Sequence, residues 1–172
     1  PTSQIGQSTN THPKGAPLPP LNPSTTTLSI TNCSFVAQTV DWNAVHMHET
    51  LLAAHAHKGF SFVRIFQRCP VFSEECFADA VEDPNLVQLI EHENGLQVPE
   101  AGTRLYKNKI THDPSDLVQA MAVANQTEVL PIGLLYQNEN MPIYNEYSSV
   151  GIHATPEDKI NALNHQLDQF AI

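Results

Sequence analysis

Residues 34–69 read SFVAQTVDWNAVHMHETLLAAHAHKGFSFVRIFQRC, and the change of periodicity along this stretch decides the fold class. Phe35, Val36 and Val40 give the first seven residues a strand-like character. Asp41 or Asn43 then caps a helix on which Val45 and Leu52 stand seven apart and Met47 and Leu51 four apart, until Gly59 ends it. Phe60 to Phe66 are again rich in aromatic and β-branched residues. Two short buried strands joined by a helix of about four turns form a βαβ unit, with parallel strands and a right-handed crossover. The sequence therefore predicts an α/β fold.

Working outward, residues 1–21 are rich in proline and hydroxyl residues without apolar periodicity, which predicts an extended loop. Asn22 is a good N-cap and Pro23 suits a first helical position, so a short helix is expected to about Asn32, weakened by Thr25, Thr26 and Thr27. Beyond Cys69 the pattern is less regular. Residues 82–95, EDPNLVQLIEHENG, suit either a short helix or a strand running into a turn at Asn94 and Gly95, and residues 103–112 alternate weakly. In residues 113–126 Asp113 is the expected cap, Pro114 the opening position, and Leu117, Met121 and Ala124 the apolar stripe. Pro131 and Pro142 make residues 129–144 an expected edge strand and extended arm. A last helix from Pro156 to about Phe170 carries Ile160, Leu163, Leu167 and Phe170 on one face and should dock on something. The expected division is residues 1–75, containing the loop and the βαβ unit of residues 34–69, followed by an extension over residues 76–172.

With 8 Lys+Arg against 18 Asp+Glu, the net charge of -10 excludes a nucleic-acid footprint and an anionic membrane surface as partners. No apolar run approaches the roughly 20 residues that span a bilayer, and the opening PTSQIGQSTN lacks the features of a secretion signal. Three cysteines at irregular spacing make a poor disulfide framework. These features predict a cytoplasmic location. The opening on Pro1 leads us to expect that the sequence represents part of a longer polypeptide.

Among chemistry-bearing residues, His46, His48, Glu49, His55 and His57 invite a metal-site reading. On a helix, however, His46 and His48 point to nearly opposite sides, and His48 and His55 are two turns apart. They are therefore expected to be polar residues on a solvated or subunit-facing helix surface. Cys33 and Cys76 have no partner at metal spacing and read as packing residues or bystanders. Cys69 differs because it follows FVRIFQR at the carboxyl end of an expected parallel strand, where α/β sheets place their ligands, and Pro70 turns the chain away there. No Ser-His-Asp order, phosphate-binding loop, dinucleotide fingerprint or zinc-type cysteine pair is present, and Asp79, Glu82 and Glu93 form no recognisable pair.

The stretch PTSQIGQSTNTHPKG at residues 1–15, followed by the βαβ unit through CPVF at residues 69–72, resembles the β subunit of 2-oxoacid:ferredoxin oxidoreductases, especially the 2-oxoglutarate branch. In that family a strand like FVA, a helix ending in HKG, a strand like SFVE and a Cys-Pro recur. HDPSDLVQAMA at residues 112–122 and LPIGLLYQNENMPIY at residues 130–144 resemble the extension of its longer members.

The resemblance implies the C-terminal half of a three-layer, thiamine-diphosphate-binding fold with an extended C-terminal arm and helix. It further implies oxidative decarboxylation of a 2-oxoacid with an α subunit, using thiamine diphosphate and magnesium, with coenzyme A taking the acyl group. Electrons would pass through a [4Fe-4S] cluster to ferredoxin, and Cys69 matches the family's last cluster cysteine. Thr2 and Ser3 fall next to the family's thiazolium loop. The Gly-Asp-Gly segment, the magnesium-binding Asn and the other cluster cysteines would precede Pro1, and Arg64 stands where Glu is usual. The implied assembly is a heterodimer or a dimer of heterodimers. The alternative is a non-catalytic assembly or interaction module on the same fold.

Overall fold

The computed structural model describes residues 5–8, 12–68, 71, 76–144 and 155–170. The chain forms two compact units, Pro1–Met141 and Pro142–Ile172.

In the first unit, α1 spans Pro23–Leu28 with Pro23 in its first turn, and the Asn22 side chain accepts from the N–H groups of Ser24 and Thr25. The cap is as expected, but the helix stops short of Asn32. The Thr26 and Thr27 hydroxyls donate back to the carbonyls of Asn22 and Pro23 at 2.9 and 2.8 Å, and the Ser29 N–H closes the last turn. Hydroxyl competition of this kind makes threonine a poor helix propagator.

The decisive stretch folds as β1 (Phe35–Val40), α2 (Ala44–Ala56) and β2 (Ser61–Phe66), with the two strands parallel and in register from Phe35 opposite Ser61 to Val40 opposite Phe66. Asn43 is the cap that operates, its side chain accepting from the His46 N–H at 3.0 Å. Gly59, at φ 145, supplies a backbone conformation that other residues rarely adopt as the chain turns into β2.

The strand alternative holds for residues 82–95: a 3-10 turn at Pro84–Leu86 leads into β3 (Val87–Ile90). A short α3 (Ala78–Glu82) precedes it, and α4 (Glu100–Thr103) and β4 (Lys109–Ile110) follow. Then come α5 (Leu117–Ala124) and β5 (Leu130–Gln137), and the strands form one five-stranded sheet in the order β2-β1-β5-β3-β4. β5 runs antiparallel to β1 and parallel to β3. The sheet thus draws strands from both sides of residue 76, and the boundary expected between residues 75 and 76 falls within the first compact unit.

Three expectations are corrected. The segment expected at an edge is a central strand, buried from Pro131 to Tyr136. Proline is tolerated there because the pairing with β1 extends only as far as Gly133 opposite Gln38. The Pro131 carbonyl then accepts from the Gln38 side chain at 2.7 Å, so its missing N–H forfeits no ladder bond on that side. Gly133, at φ 126, lies where a Cβ would stand 2.8 Å from the Ile90 carbonyl oxygen, so the close approach of β5 to β3 needs glycine.

The second correction is the cap of α5. Asp116 accepts from the N–H groups of Val118 and Gln119, whereas Asp113 accepts from the backbone and hydroxyl of Ser115 in the turn before it. Two aspartates three apart compete for one cap, and Pro114 belongs to the turn. The buried face is consequently Ala120, Val123 and Ala124, while Leu117 is 40% exposed.

The third concerns α2. Its fully buried residues are His46 and Thr50, while Val45, Leu51 and Leu52 are 37–49% exposed. Thr39 on β1 offers a hydroxyl to this face instead of an apolar surface, and Ala53 and Ala54 complete the contact against Phe35, Ala37 and Leu134. On the opposite face of the sheet, α1 and α5 cover Val36, Leu135 and Tyr136. Helices thus lie on both faces of the sheet.

In the second unit, α6 (Pro156–Asp168) begins with a capping box between Thr155 and Asp158. None of its residues is buried, and Ile160, Leu163 and Leu167 are each 59% exposed. The expected stripe is present and uncovered within that unit. Among the described residues no helix is long and apolar enough to cross a membrane.

Candidate functional site

Because β1 and β2 run against β3, β4 and β5, the sheet presents parallel carboxyl ends on both of its edges. The carboxyl ends of β1 and β2 form the first candidate region. Cys69, three residues beyond β2, lies outside the described residues, as do Thr2 and Ser3. The described residues at the ends of β1 and β2 pack against one another. The Asp41 N–H continues the ladder to the Phe66 carbonyl at 3.0 Å. Phe66 is 5% exposed, and Phe77 meets its ring edge-on at 5.3 Å while standing 6.4 Å from Trp42. Phe77 has φ 63, a left-handed conformation that is costly for an aromatic residue and sets the chain's direction into α3. A wall of three aromatic rings therefore packs at the ends of these two strands. One acceptor there is open: Asp41 Oδ1 is buried without a hydrogen-bond partner among the described residues.

Arg64 braces this end. Its guanidinium lies 4.4 Å from the centre of the Phe66 ring and donates from Nη1 to Asn22 Oδ1 at 3.1 Å, joining β2 to the cap of α1. Burial lowers the Arg64 pKa from its ordinary value. This gives a structural role to a residue that stands out against the resembling family's pattern.

The second region lies at the carboxyl ends of β3, β4 and β5. A cavity of about 730 Å³ has a floor including Phe35, Leu52, Leu96 and Leu134 and a rim including His57 and Glu139. His57 Nε2 is 3.0 Å from Ser34 Oγ, and its ring stacks obliquely on Phe35. Burial lowers the His57 pKa, against an opposing pull from Glu139. A smaller cavity of about 200 Å³ is lined by His46, Glu91, His92, Gln97 and neighbours. At its margin His92 Nε2 is 3.2 Å from His112 Nδ1, and His112 Nε2 is 2.7 Å from the Leu135 carbonyl oxygen. Sequence reasoning did not single out His92 or His112; each follows a strand end by two residues, a signal legible only once β3 and β4 are assigned.

The helix histidines disperse. His48 and His55 are exposed as expected, but His46 is fully buried, which corrects the solvated-surface reading for that residue. Its Nδ1 is 2.8 Å from Thr39 Oγ1, its Nε2 has no partner among the described residues, and burial lowers its pKa to about 4. Cys33 is buried in the core with Val36 and Leu135, as its packing reading anticipates. Among the described residues no three His, Cys, Asp or Glu side chains are grouped to hold a metal ion. A [4Fe-4S] cluster takes four thiolates. The cysteines of this chain do not complete such a site by themselves.

A family model for the C-terminal part of the beta subunit of pyruvate ferredoxin oxidoreductase matches residues 102–150. The chain is 35% identical over 77 residues to 2-oxoglutarate oxidoreductase subunit KorB of Mycobacterium tuberculosis, covering 45% of this chain and 20% of that protein. It is 24% identical over 149 residues to the 2-oxoacid:ferredoxin oxidoreductase subunit beta of Sulfolobus sp., covering 78% and 42%. Among solved structures, the 2-oxoglutarate:ferredoxin oxidoreductase of Magnetococcus marinus, with 2-oxoglutarate, coenzyme A and succinyl-CoA bound, aligns at a TM-score of 0.67 and 27% identity. That alignment covers 94% of this chain and 50% of the other. The chain therefore spans half or less of the length of each of these relatives. By sequence it is similar to β subunits of 2-oxoacid:ferredoxin oxidoreductases, and by fold to a 2-oxoglutarate:ferredoxin oxidoreductase.

Proposed function

We propose that the chain serves as part of the β subunit of a 2-oxoacid:ferredoxin oxidoreductase acting on 2-oxoglutarate. The observation that carries this reading is the fold-wide likeness to the Magnetococcus marinus enzyme, whose structure holds 2-oxoglutarate, coenzyme A and succinyl-CoA. In the proposed reaction 2-oxoglutarate and coenzyme A give succinyl-CoA, carbon dioxide and one proton, and two electrons leave for ferredoxin. Thiamine diphosphate with magnesium would supply the carbanion chemistry and a [4Fe-4S] cluster the electron path. Residues 1–172 contain no Gly-Asp-Gly segment to hold the diphosphate; in this reading that segment lies outside them, and the α subunit is a separate chain.

What this chain contributes is a thiolate and an aromatic wall. Cys69 follows the last residue of β2 by three positions in the sequence, and we assign its thiolate as one cluster ligand. At the carboxyl ends of β1 and β2, Phe66, Phe77 and Trp42 give that edge an aromatic wall, and Arg64 lies over the Phe66 ring. A hydrophobic surround is one of the levers by which a protein sets a cluster's potential.

The test is anaerobic purification of the native assembly, with and without Cys69→Ser. The expected outcome is a reducible cluster signal in electron paramagnetic resonance and coenzyme A-dependent reduction of ferredoxin by 2-oxoglutarate. Both should be lost or severely reduced in the variant, with the fold retained by circular dichroism. A native assembly without iron and without this activity overturns the reading.

A further inference from the structure

We propose that His92 and His112 form an acid-released latch that holds shut one wall of the 730 Å³ cavity. The proposal is independent of the reaction assigned above and rests on which atoms carry protons. His112 Nε2 lies 2.7 Å from the Leu135 carbonyl oxygen, which can only accept, so Nε2 carries the hydrogen. In a neutral ring His112 Nδ1 is then an acceptor, and His92 Nε2–H donates to it across 3.2 Å. The remaining nitrogen, His92 Nδ1, is buried with no partner among the described residues. Each ring is thereby committed to one tautomer, and the neutral pair has no ready place for another proton. A proton on His112 Nδ1 sets two N–H donors against each other. A proton on His92 Nδ1 creates a cation at a buried atom without an acceptor. Burial and the neighbouring His112 ring both lower the His92 pKa, in keeping with that cost.

The bond matters because of what it ties down. Asn94, Gly95, Leu96 and Gln97 line the large cavity, and Leu96 and Gln97 also line the smaller one. Among the described residues, segment 92–97 is held to the sheet by the His92–His112 bond and by Leu96 packed near Phe35 and Leu134. Its other bonds are largely internal, such as Gln97 Nε2 to the carbonyls of Glu93 and Gly95. His112 is itself pinned to central strand β5, so the latch couples a loop to the rigid core.

The charges around the pair set where it releases. Asp113 and Asp116 lie on the His112 side, and Asp113 pulls the His92 pKa up against the effect of burial. Glu91, next to His92, is engaged by Lys109 at 2.8 Å. His46 faces the smaller cavity, and Glu49, His57, Lys58 and Glu139 line the larger one. Acid thus favours the open wall, and neutral pH the closed one.

Amide hydrogen exchange of the native assembly tests this, read after correction for intrinsic exchange. Between about pH 7.5 and about pH 5.5 protection of segment 93–97 is expected to fall roughly tenfold, while β1 amides hold theirs. His112→Asn should show the lower protection at both pH values, with the pH step gone. Equal protection of the segment at both pH values, or an undiminished step in the variant, overturns the latch. Should His112→Asn also lose β1 protection, ring-nitrogen NMR of the unsubstituted, 15N-histidine-labelled protein decides instead. Coupled titration of His92 and His112 supports the latch, and independent titration refutes it.

Discussion

The two carboxyl edges of this sheet are built from opposite materials. At the end of β1 and β2 the residues are aromatic and few are titratable: Phe66, Phe77 and Trp42 pack ring against ring, and Arg64 is laid over one of them. At the end of β3, β4 and β5 the walls are histidine, glutamine and carboxylate around two cavities. The first edge gains its stability from buried surface and should be insensitive to pH. The second depends on a hydrogen bond between two histidine rings whose paired nitrogens leave no ready place for a further proton, so acid should loosen it first. One sheet thus carries an aromatic edge and a polar edge suited to responding to its surroundings.

The largest expected effect comes from breaking the aromatic edge. Phe66→Ala should destabilise the protein by about 3–5 kcal/mol, because a nearly buried ring and its edge contact with Phe77 are both lost. Urea denaturation at two pH values checks this, and the loss should be the same at both.

His46 then sharpens the pH contrast. Its folded-state pKa of about 4 lies below the 6.5 of a free histidine. The unfolded chain therefore takes up a proton that the folded one refuses. Stability is fully present above about pH 6.5 and falls as the pH is lowered towards about 4, by about 3 kcal/mol in all. His46→Gln should flatten that part of the profile of unfolding free energy against pH, even if it costs stability at neutral pH.

Two smaller effects concern the braces. Arg64→Met keeps much of the side-chain volume but removes the cation over Phe66 and the bond to Asn22, and should cost about 1–2 kcal/mol by chemical denaturation. Asp116→Ala should cost about 1 kcal/mol, since it removes the α5 cap, and Asp113→Ala should cost less. The order of that last pair, read from thermal midpoints, separates the observed cap from the one that spacing alone suggests.

The pattern of what could be read in advance follows from the range of the forces involved. β1, α2 and β2 were legible because each is specified by neighbours within a few residues: strand residues, an asparagine cap, a glycine stop. The Asn22 cap of α1 and the turn leading from β3 were legible for the same reason. The burial of His46 was not, because helical spacing tells which residues share a face and says nothing of what that face meets. Val45 and Leu52 mark an apolar stripe, yet Thr39 gives the sheet-facing side to His46.

The sequence by itself determined the α/β class, the parallel β1–β2 pair and the cysteine that follows its second strand, all products of local periodicity and chain order. Only the tertiary structure decided that β5 is central. Pro131 argues for an edge until the register shows its pairing with β1 already finished at Gly133. Only the tertiary structure, too, brought His92 and His112 together across twenty residues of chain, because contact between two strand ends depends on the order of strands in the sheet, which no local pattern encodes.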